Sequence, residues 1–329
     1  MKSCLVVTTI NPPNEVFAAL AKDVTERNMD FIVIGDEKTP ANFVLKGADY
    51  LSLERQGSLF PSFATALPTR HYARKNVGYL SAAQAGAELI FETDDDNYPR
   101  SGFLSPPPDF LEVRVPATPR RWINPLSYFT TEDVWPRGLP LEEIHGQDAS
   151  LKRGSLQVRP GIIQYLADEN PDVDAVFRLT RSLPLSFEKA PPILIPKGIW
   201  CPFNSQATVF TKKFFPLLYL PSFCSFRMTD IWRSLIAVRC LWEEEEFLIY
   251  AGPEVWQERN PHDLLRDFDQ EVPGYLNNNR IAMLLEGLML TKGDILGNIR
   301  LCYESLVAGN VLPEKELNLL NLFQESLKK

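Results

Sequence analysis

Apolar positions run without a break through Cys4 to Val7, inside a segment Ser3 to Ile10 that Asn11-Pro12-Pro13 closes; Phe31 to Ile34, closed by Gly35-Asp36, repeats the pattern. Short β-branched runs bounded by turn residues predict strands buried on both faces, as in a parallel sheet. Between them Val16, Ala19, Leu20 and Val24 recur at helical spacing within Glu15 to Arg27, giving a strand, helix, strand unit of the length a right-handed crossover needs. The chain thus opens as a Rossmann-like half, without the GxGxxG of a dinucleotide fingerprint. Leu89-Ile90-Phe91 predicts a further buried strand, which ends in Asp94, Asp95 and Asp96, with Pro99 stopping regular pairing beyond it. Thr69 to Gly86, with Ala73, Val77, Leu80 and Ala83 on one face and Thr69 as N-cap, predicts the helix that feeds this strand.

Patterning weakens from Ser101 to Leu141, where Pro106-Pro107-Pro108, five further prolines, Trp122, Tyr128, Phe129 and Trp135 describe a stiff connection suited equally to stacking on a ligand and to packing on the core. Strands are predicted again at Ala175 to Leu179, Ile193 to Ile195 and Thr208 to Thr211. A helix capped by Thr229 follows from Asp230 to Trp242, and three amphipathic helices end the chain at Arg280 to Leu290, Asp294 to Ala308 and Pro313 to Leu327. The fold class is therefore α/β, a mixed sheet flanked by helices over residues 1–278, with a C-terminal helical region over 279–329 suited to packing or to homo-oligomer formation.

Composition narrows the setting. At 45% hydrophobic and 23% charged the chain is an ordinary globular protein, and its 329 residues suffice for one large α/β domain with additions. A net charge of −8 argues against nucleic acid as partner. No run approaches the roughly 20 apolar residues of a spanning helix, and the N-terminus has no signal-peptide pattern. A cytoplasmic protein is expected. The five cysteines are scattered and form no CxxC, so neither a disulfide framework nor a zinc site is expected.

Candidate chemistry gathers at the predicted strand ends. Three adjacent carboxylates repel one another and suit a hard cation, Mn²⁺ or Mg²⁺, which keeps positions for substrate phosphates; an acidic turn in solvent is the alternative. Asp36 fits either a turn or a contact to a nucleotide's base or ribose. Arg70, His71, Arg74 and Lys75 crowd the start of a predicted helix, where cations oppose the macrodipole unless an anion lies nearby; a nucleotide diphosphate answers that, as do surface acids. Asn204 and Gln206 offer neutral groups suited to hydroxyls or to a turn, and Asp230 in a first helical turn is both the expected electrostatic choice and a candidate base.

Arg74-Lys75-Asn76-Val77-Gly78-Tyr79-Leu80, Phe91-Glu92-Thr93-Asp94-Asp95-Asp96, Asn170-Pro171-Asp172-Val173-Asp174, Cys201-Pro202-Phe203-Asn204-Ser205-Gln206, Arg227-Met228-Thr229-Asp230-Ile231-Trp232-Arg233 and Asn260-Pro261-His262-Asp263 together resemble the STELLO-like glycosyltransferases. More distantly they resemble the reversibly glycosylated polypeptides, which are nucleotide-arabinose mutases. The resemblance covers roughly residues 1 to 280 and lacks the membrane anchor of the plant members. It implies a GT-A type fold and metal-dependent, inverting transfer of a sugar from a nucleotide sugar to a glycan or glycan precursor, with a nucleotide-sugar mutase or a non-catalytic scaffold as the other readings. The implied metal ligands are Asp94 and Asp96, joined by His262, which fits equally a cap of the helix after it. The implied donor contacts are Thr9, Asp36, Arg70, Arg74, Lys75, Asp94 and Asp95, the acceptor contacts Asn204, Gln206 and Arg227, and the general base Asp230.

Overall fold

The computed structural model describes residues 1–117, 120–146, 150–157, 160–258 and 263–329. Among the described residues eleven strands form one sheet: β1 Ser3–Thr8, β2 Asp30–Ile34, β3 Asp49–Leu51, β4 Leu89–Asp94, β5 Asn97–Pro99, β6 Leu111–Pro116, β7 Leu151–Leu156, β8 Ile162–Asp168, β9 Ile193–Ile195, β10 Ala207–Thr211 and β11 Leu248–Gln257. Their order is β3-β2-β1-β4-β10-β8-β11-β9-β6-β7, with β5 added on β11. The first four strands of that order are parallel, β10 is antiparallel to both its neighbours, and β11 is again parallel to β8. Consequently the carboxyl ends of β1, β2, β4, β8 and β11 share one edge with the amino end of β10. In open α/β sheets that edge is where ligands bind.

Alternation along the strands makes two cores. Leu5, Val7, Phe31 and Val33 face α1, Glu15–Glu26, through Val16, Phe17 and Leu20. Cys4, Val6, Ile32 and Ile34 face the opposite layer, which contains α2 (Leu53–Leu59), α3 (Pro61–Ala66), α4 (Lys75–Gln84), α5 (Ala175–Thr180) and α6 (Thr229–Glu244). A Cβ at Gly78 would come within 2.5 Å of Val6 Cγ1, so the close approach of α4 to β1 requires glycine there. The strand β4 is bolted to this layer by Glu92, whose buried carboxylate pairs with Arg233 of α6 at 2.8 Å and accepts from Tyr79 of α4.

The expected mixed sheet flanked by helices is observed, and helices close the chain: α7 Leu264–Glu286, α8 Ile295–Ala308 and α9 Lys315–Leu327. The division expected at 278/279 falls inside α7, which is continuous across it. The last two helices share the core of the second layer, and Glu316 of α9 is buried, accepting from Tyr219 Oη at 2.5 Å and from the Ser222 and Phe223 amides. Among the described residues no helix is long and apolar enough to cross a membrane.

Three predicted elements differ. Residues 175–180 are a helix rather than a strand, because Asp174 caps it by accepting from Phe177 N at 2.7 Å. The helix expected from Thr69 begins with a 3₁₀ turn at Tyr72, capped by His71, and becomes α-helical at Lys75. Beyond the acids pairing resumes, since Pro99 is the last residue of β5 opposite Val255 and so lies at an edge that needs no N–H from it.

Candidate functional site

A cavity of about 890 Å³ opens at the shared sheet edge. It is lined by Thr9, Asp36, Arg70, Arg74, Asp94, Asp95, Asp96, Asn204, Gln206, Arg227 and Asp230, which is to say by most of the residues singled out from sequence. His262 lies outside the described residues.

Each aspartate of the triplet is held by a different element. Asp95 Oδ2 accepts from Thr9 Oγ1 at 2.6 Å and from Asn11 Nδ2 at 3.0 Å, while its carbonyl accepts from Asn14, the residue that also caps α1. Asp96 accepts from Gln257 Nε2 at 2.9 Å and from Asn97 Nδ2 at 3.0 Å. Asp94 Oδ1 accepts from Tyr72 Oη at 2.6 Å and from Lys75 Nζ at 3.2 Å; among the described residues its Oδ2 accepts no hydrogen bond. Burial pushes the Asp94 carboxyl up from its usual range, against the opposing pull of Lys75 and Tyr72. A half-buried carboxylate with one uncommitted oxygen and a deficit of positive charge fits a hard divalent cation. Among the described residues no three His, Cys, Asp or Glu converge to cage an ion, so here an ion would take its remaining oxygens from substrate and water.

The cations expected to grip a diphosphate are placed differently from that expectation. Lys75 is fully buried, and its ammonium donates to Thr93 O at 2.8 Å and Tyr72 Oη at 2.7 Å besides Asp94; it supports the acid from beneath rather than reaching a ligand. Arg74 is 3% exposed, with Nε on Gln56 Oε1 at 2.8 Å and its terminal nitrogens on the Ala64 and Leu67 carbonyls, so its guanidinium is committed to holding α2 and α3. Corrected for these partners, both become positioning residues. Arg70 does face the cavity: it is exposed, adopts the left-handed φ of +54°, and rests Nε on Glu37 Oε2 at 2.7 Å. Asp36, just past β2, accepts from His71 N at 3.0 Å.

Opposite the triplet, Asp230 opens α6. Both its oxygens accept from Arg137 at 2.9 Å, and Arg137 spans to both oxygens of Asp172 at 2.7 and 2.8 Å. Burial alone would raise the Asp230 carboxyl, but Arg137 beside it, helped by Arg233 and Arg227, holds it down at about 2. Arg137, which offers no motif, is not among the residues singled out from sequence. Gly138, at φ +96°, lets the loop lie on α6, where a Cβ would meet Ile231 Cγ2 at 2.7 Å. Arg227, expected at the acceptor, pairs with buried Glu271 of α7 at 2.8 Å.

The two acidic ends are joined. Ser205 Oγ lies 2.7 Å from Tyr72 Oη and 3.3 Å from Asp230 Oδ2, so Asp94, Tyr72, Ser205 and Asp230 form one chain of contacts across the cavity floor. Asn204 and Gln206 flank Ser205, with Asn204 Oδ1 accepting from Gln206 N at 2.9 Å.

Fold and cavity define an open, mixed α/β protein with a polar ligand site at the carboxyl edge of its sheet. The chain is similar to the STELLO proteins over about three-quarters of its length: it is 32% identical over 261 residues to the Arabidopsis thaliana protein named "Probable glycosyltransferase STELLO1", which is 73% of this chain and 33% of that protein. Against "Probable glycosyltransferase STELLO2" of the same plant it is 32% identical over 273 residues, 76% of this chain and 35% of the other. The chain thus spans about a third of the length of the curated relatives it matches. No protein-family model matches it. A solved mycobacterial protein superposes on 87% of this chain and 73% of its own with a TM-score of 0.44 at 10% identity.

Proposed function

We propose that the chain is a glycosyltransferase of GT-A type that takes a nucleotide sugar as donor and a glycan or glycan precursor as acceptor. The observation that carries this reading is that Asp94, Asp95 and Asp96 on one wall and Asp230 on the other line a single cavity of about 890 Å³, the size that a nucleotide sugar needs. The names of the STELLO relatives support the same reaction class.

Asp94 and Asp96 would hold a divalent Mn²⁺ or Mg²⁺ ion, which when bound neutralises the charge of a diphosphate leaving group. Asp95, tied to Thr9 and Asn11, fixes the loop that carries both ligands. Arg70 supplies a cation that lines the same cavity, and Asp36, bonded to the amide of His71 just after it, is the candidate contact to the base or ribose. Asp230 is the candidate base of a single displacement. Its carboxylate accepts the acceptor hydroxyl's proton as the new glycosidic bond forms and the bond to the diphosphate breaks, which inverts the anomeric centre. A carboxylate held at about 2 is ionised throughout the physiological range but weakly basic. That clamp favours, as second reading, a protein that binds the donor without turning it over.

The experiment is incubation of the full chain with nucleotide sugars and Mn²⁺ or Mg²⁺, following nucleotide release and new glycoside. Asp230→Asn is expected to bind donor as wild type while transfer falls by about 10²–10⁴. Ring-form exchange without nucleotide release would instead indicate a mutase, and donor binding with neither product the second reading.

A further inference from the structure

We infer that Gln206 reads a hydroxyl of the sugar being transferred, and that the site thereby takes a neutral sugar ring rather than one bearing a carboxylate. The inference deepens the nucleotide-sugar reading and rests on it. Along the floor of the cavity the polar groups have partners: Thr9 on Asp95, Tyr72 on Asp94, Ser205 on Asp230, Arg137 on Asp172 and Asp230. Gln206 differs. It lines the cavity with 7% of its surface exposed; its amide N–H is taken by Asn204 Oδ1 and its carbonyl by Thr93 Oγ1 at 2.6 Å, but its carboxamide makes no hydrogen bond among the described residues. That carboxamide opens onto the cavity and is free to bond a ligand there.

Its place in the sheet says which part of a ligand. Because Ala207 of β10 is paired with Thr93 of β4, Gln206 is the next residue out, level with Asp94, and Ser205 beside it touches Asp230. Gln206 therefore lies between the wall assigned to the diphosphate and the carboxylate assigned to the acceptor. The ring in transfer must occupy that interval, since the bond that breaks joins it to the diphosphate and the bond that forms joins it to the acceptor. A carboxamide presents one acceptor and two donor hydrogens, the complement of a hydroxyl. Lys75, Arg137 and Arg233, the cations behind this wall, are each already bound to a carboxylate. A sugar carboxylate bound at Gln206 would lie between Asp94 and Asp230 and face a neutral amide, which disfavours it electrostatically at that point of the wall.

The test is calorimetric titration of the full chain with Mg²⁺, comparing UDP and GDP with UDP-glucose, UDP-galactose, GDP-mannose and UDP-glucuronate on wild type, Gln206→Leu and Gln206→Glu. The expected result is equal affinity of all three proteins for the preferred nucleoside diphosphate, which also shows the variants folded. The neutral sugar esters should bind Gln206→Leu about tenfold more weakly than wild type, the isosteric Gln206→Glu should fall between, and UDP-glucuronate should be the weakest ester on wild type. Unchanged ester affinity in Gln206→Leu, with diphosphate binding intact, overturns this inference alone, as does a defect confined to acceptor KM or a preference for UDP-glucuronate. Failure of every nucleoside diphosphate to bind wild type overturns the nucleotide-sugar reading, and this inference with it.

Discussion

Asp94 and Asp230 face one cavity, sit at the ends of regular elements, and are linked through Tyr72 and Ser205, yet they are opposite in charge state tendency. Burial lifts both. At Asp94 a single ammonium and a phenol leave one oxygen uncommitted, and the carboxyl stays raised. At Asp230 a guanidinium takes both oxygens and brings the group to about 2. The difference lies in the partners rather than in depth: one carboxylate is left able to recruit a cation, the other already owns one.

The comparison is broken most severely by Arg137→Ala. It would strand Asp172 and Asp230 in the interior without their cation, and denaturant unfolding should show a loss of about 3–5 kcal/mol; a change under 1 kcal/mol would mean that the clamp is a surface-type pair. On the other wall, Asp94→Asn leaves the buried Lys75 ammonium without its carboxylate and so also lowers stability, and in the folded protein it should weaken Mg²⁺-dependent nucleoside-diphosphate binding by roughly 10- to 100-fold, with metal-free binding unchanged. Equal loss with and without the ion would remove Asp94 from the metal site.

Acid titration sharpens the contrast. Because Asp230 has its folded-state value below the ordinary 3.8, it binds fewer protons folded than unfolded; its contribution is complete above about pH 4 and is lost as pH falls through about 2. That contribution is on the order of 2 kcal/mol, and Asp230→Asn should flatten the stability profile in this window only. The smallest effect belongs to the link between the walls. Tyr72→Phe removes a donor from Asp94 and an acceptor from Lys75 and should cost about 1 kcal/mol, seen as an equally small shift in unfolding midpoint.

How much of this could be read in advance follows from the range of each interaction. The strands β1, β2 and β4 were legible because a strand buried on both faces writes a contiguous apolar run, and the aspartates at their ends needed only that reading to be placed at the sheet edge. The helix of residues 175–180 was not, because Val176 and Phe177 favour strands by composition and only Asp174, as cap, says otherwise. Charge was visible at Lys75 and Arg74, but direction was not: their partners lie in strands and helices that only the fold brings near. Arg137 illustrates the limit, since it answers to Asp172 and Asp230, 35 and 93 residues further along the chain.

The long helix α7 bears on how the molecule can be taken apart. Its first turns reach the cavity through Arg266 and Gln270. Near its middle, Asn278 holds Trp232 Nε1 at 3.0 Å and the Gly138 carbonyl at 3.0 Å, and Asn279 receives Arg121 at 2.6 Å. Its last turn, at Glu286, receives Trp200 Nε1 at 2.6 Å. A shortened chain ending at residue 278 would keep every aspartate of the cavity and the Asn278 contacts, but lose the last third of the helix, with the partners of Arg121 and Trp200 and the Leu285 carbonyl that receives Arg239 of α6. Read as a string the terminal helices suggest a separate module, whereas at residue 278 the chain is in the middle of one continuous helix that serves both the cavity and the packing behind it.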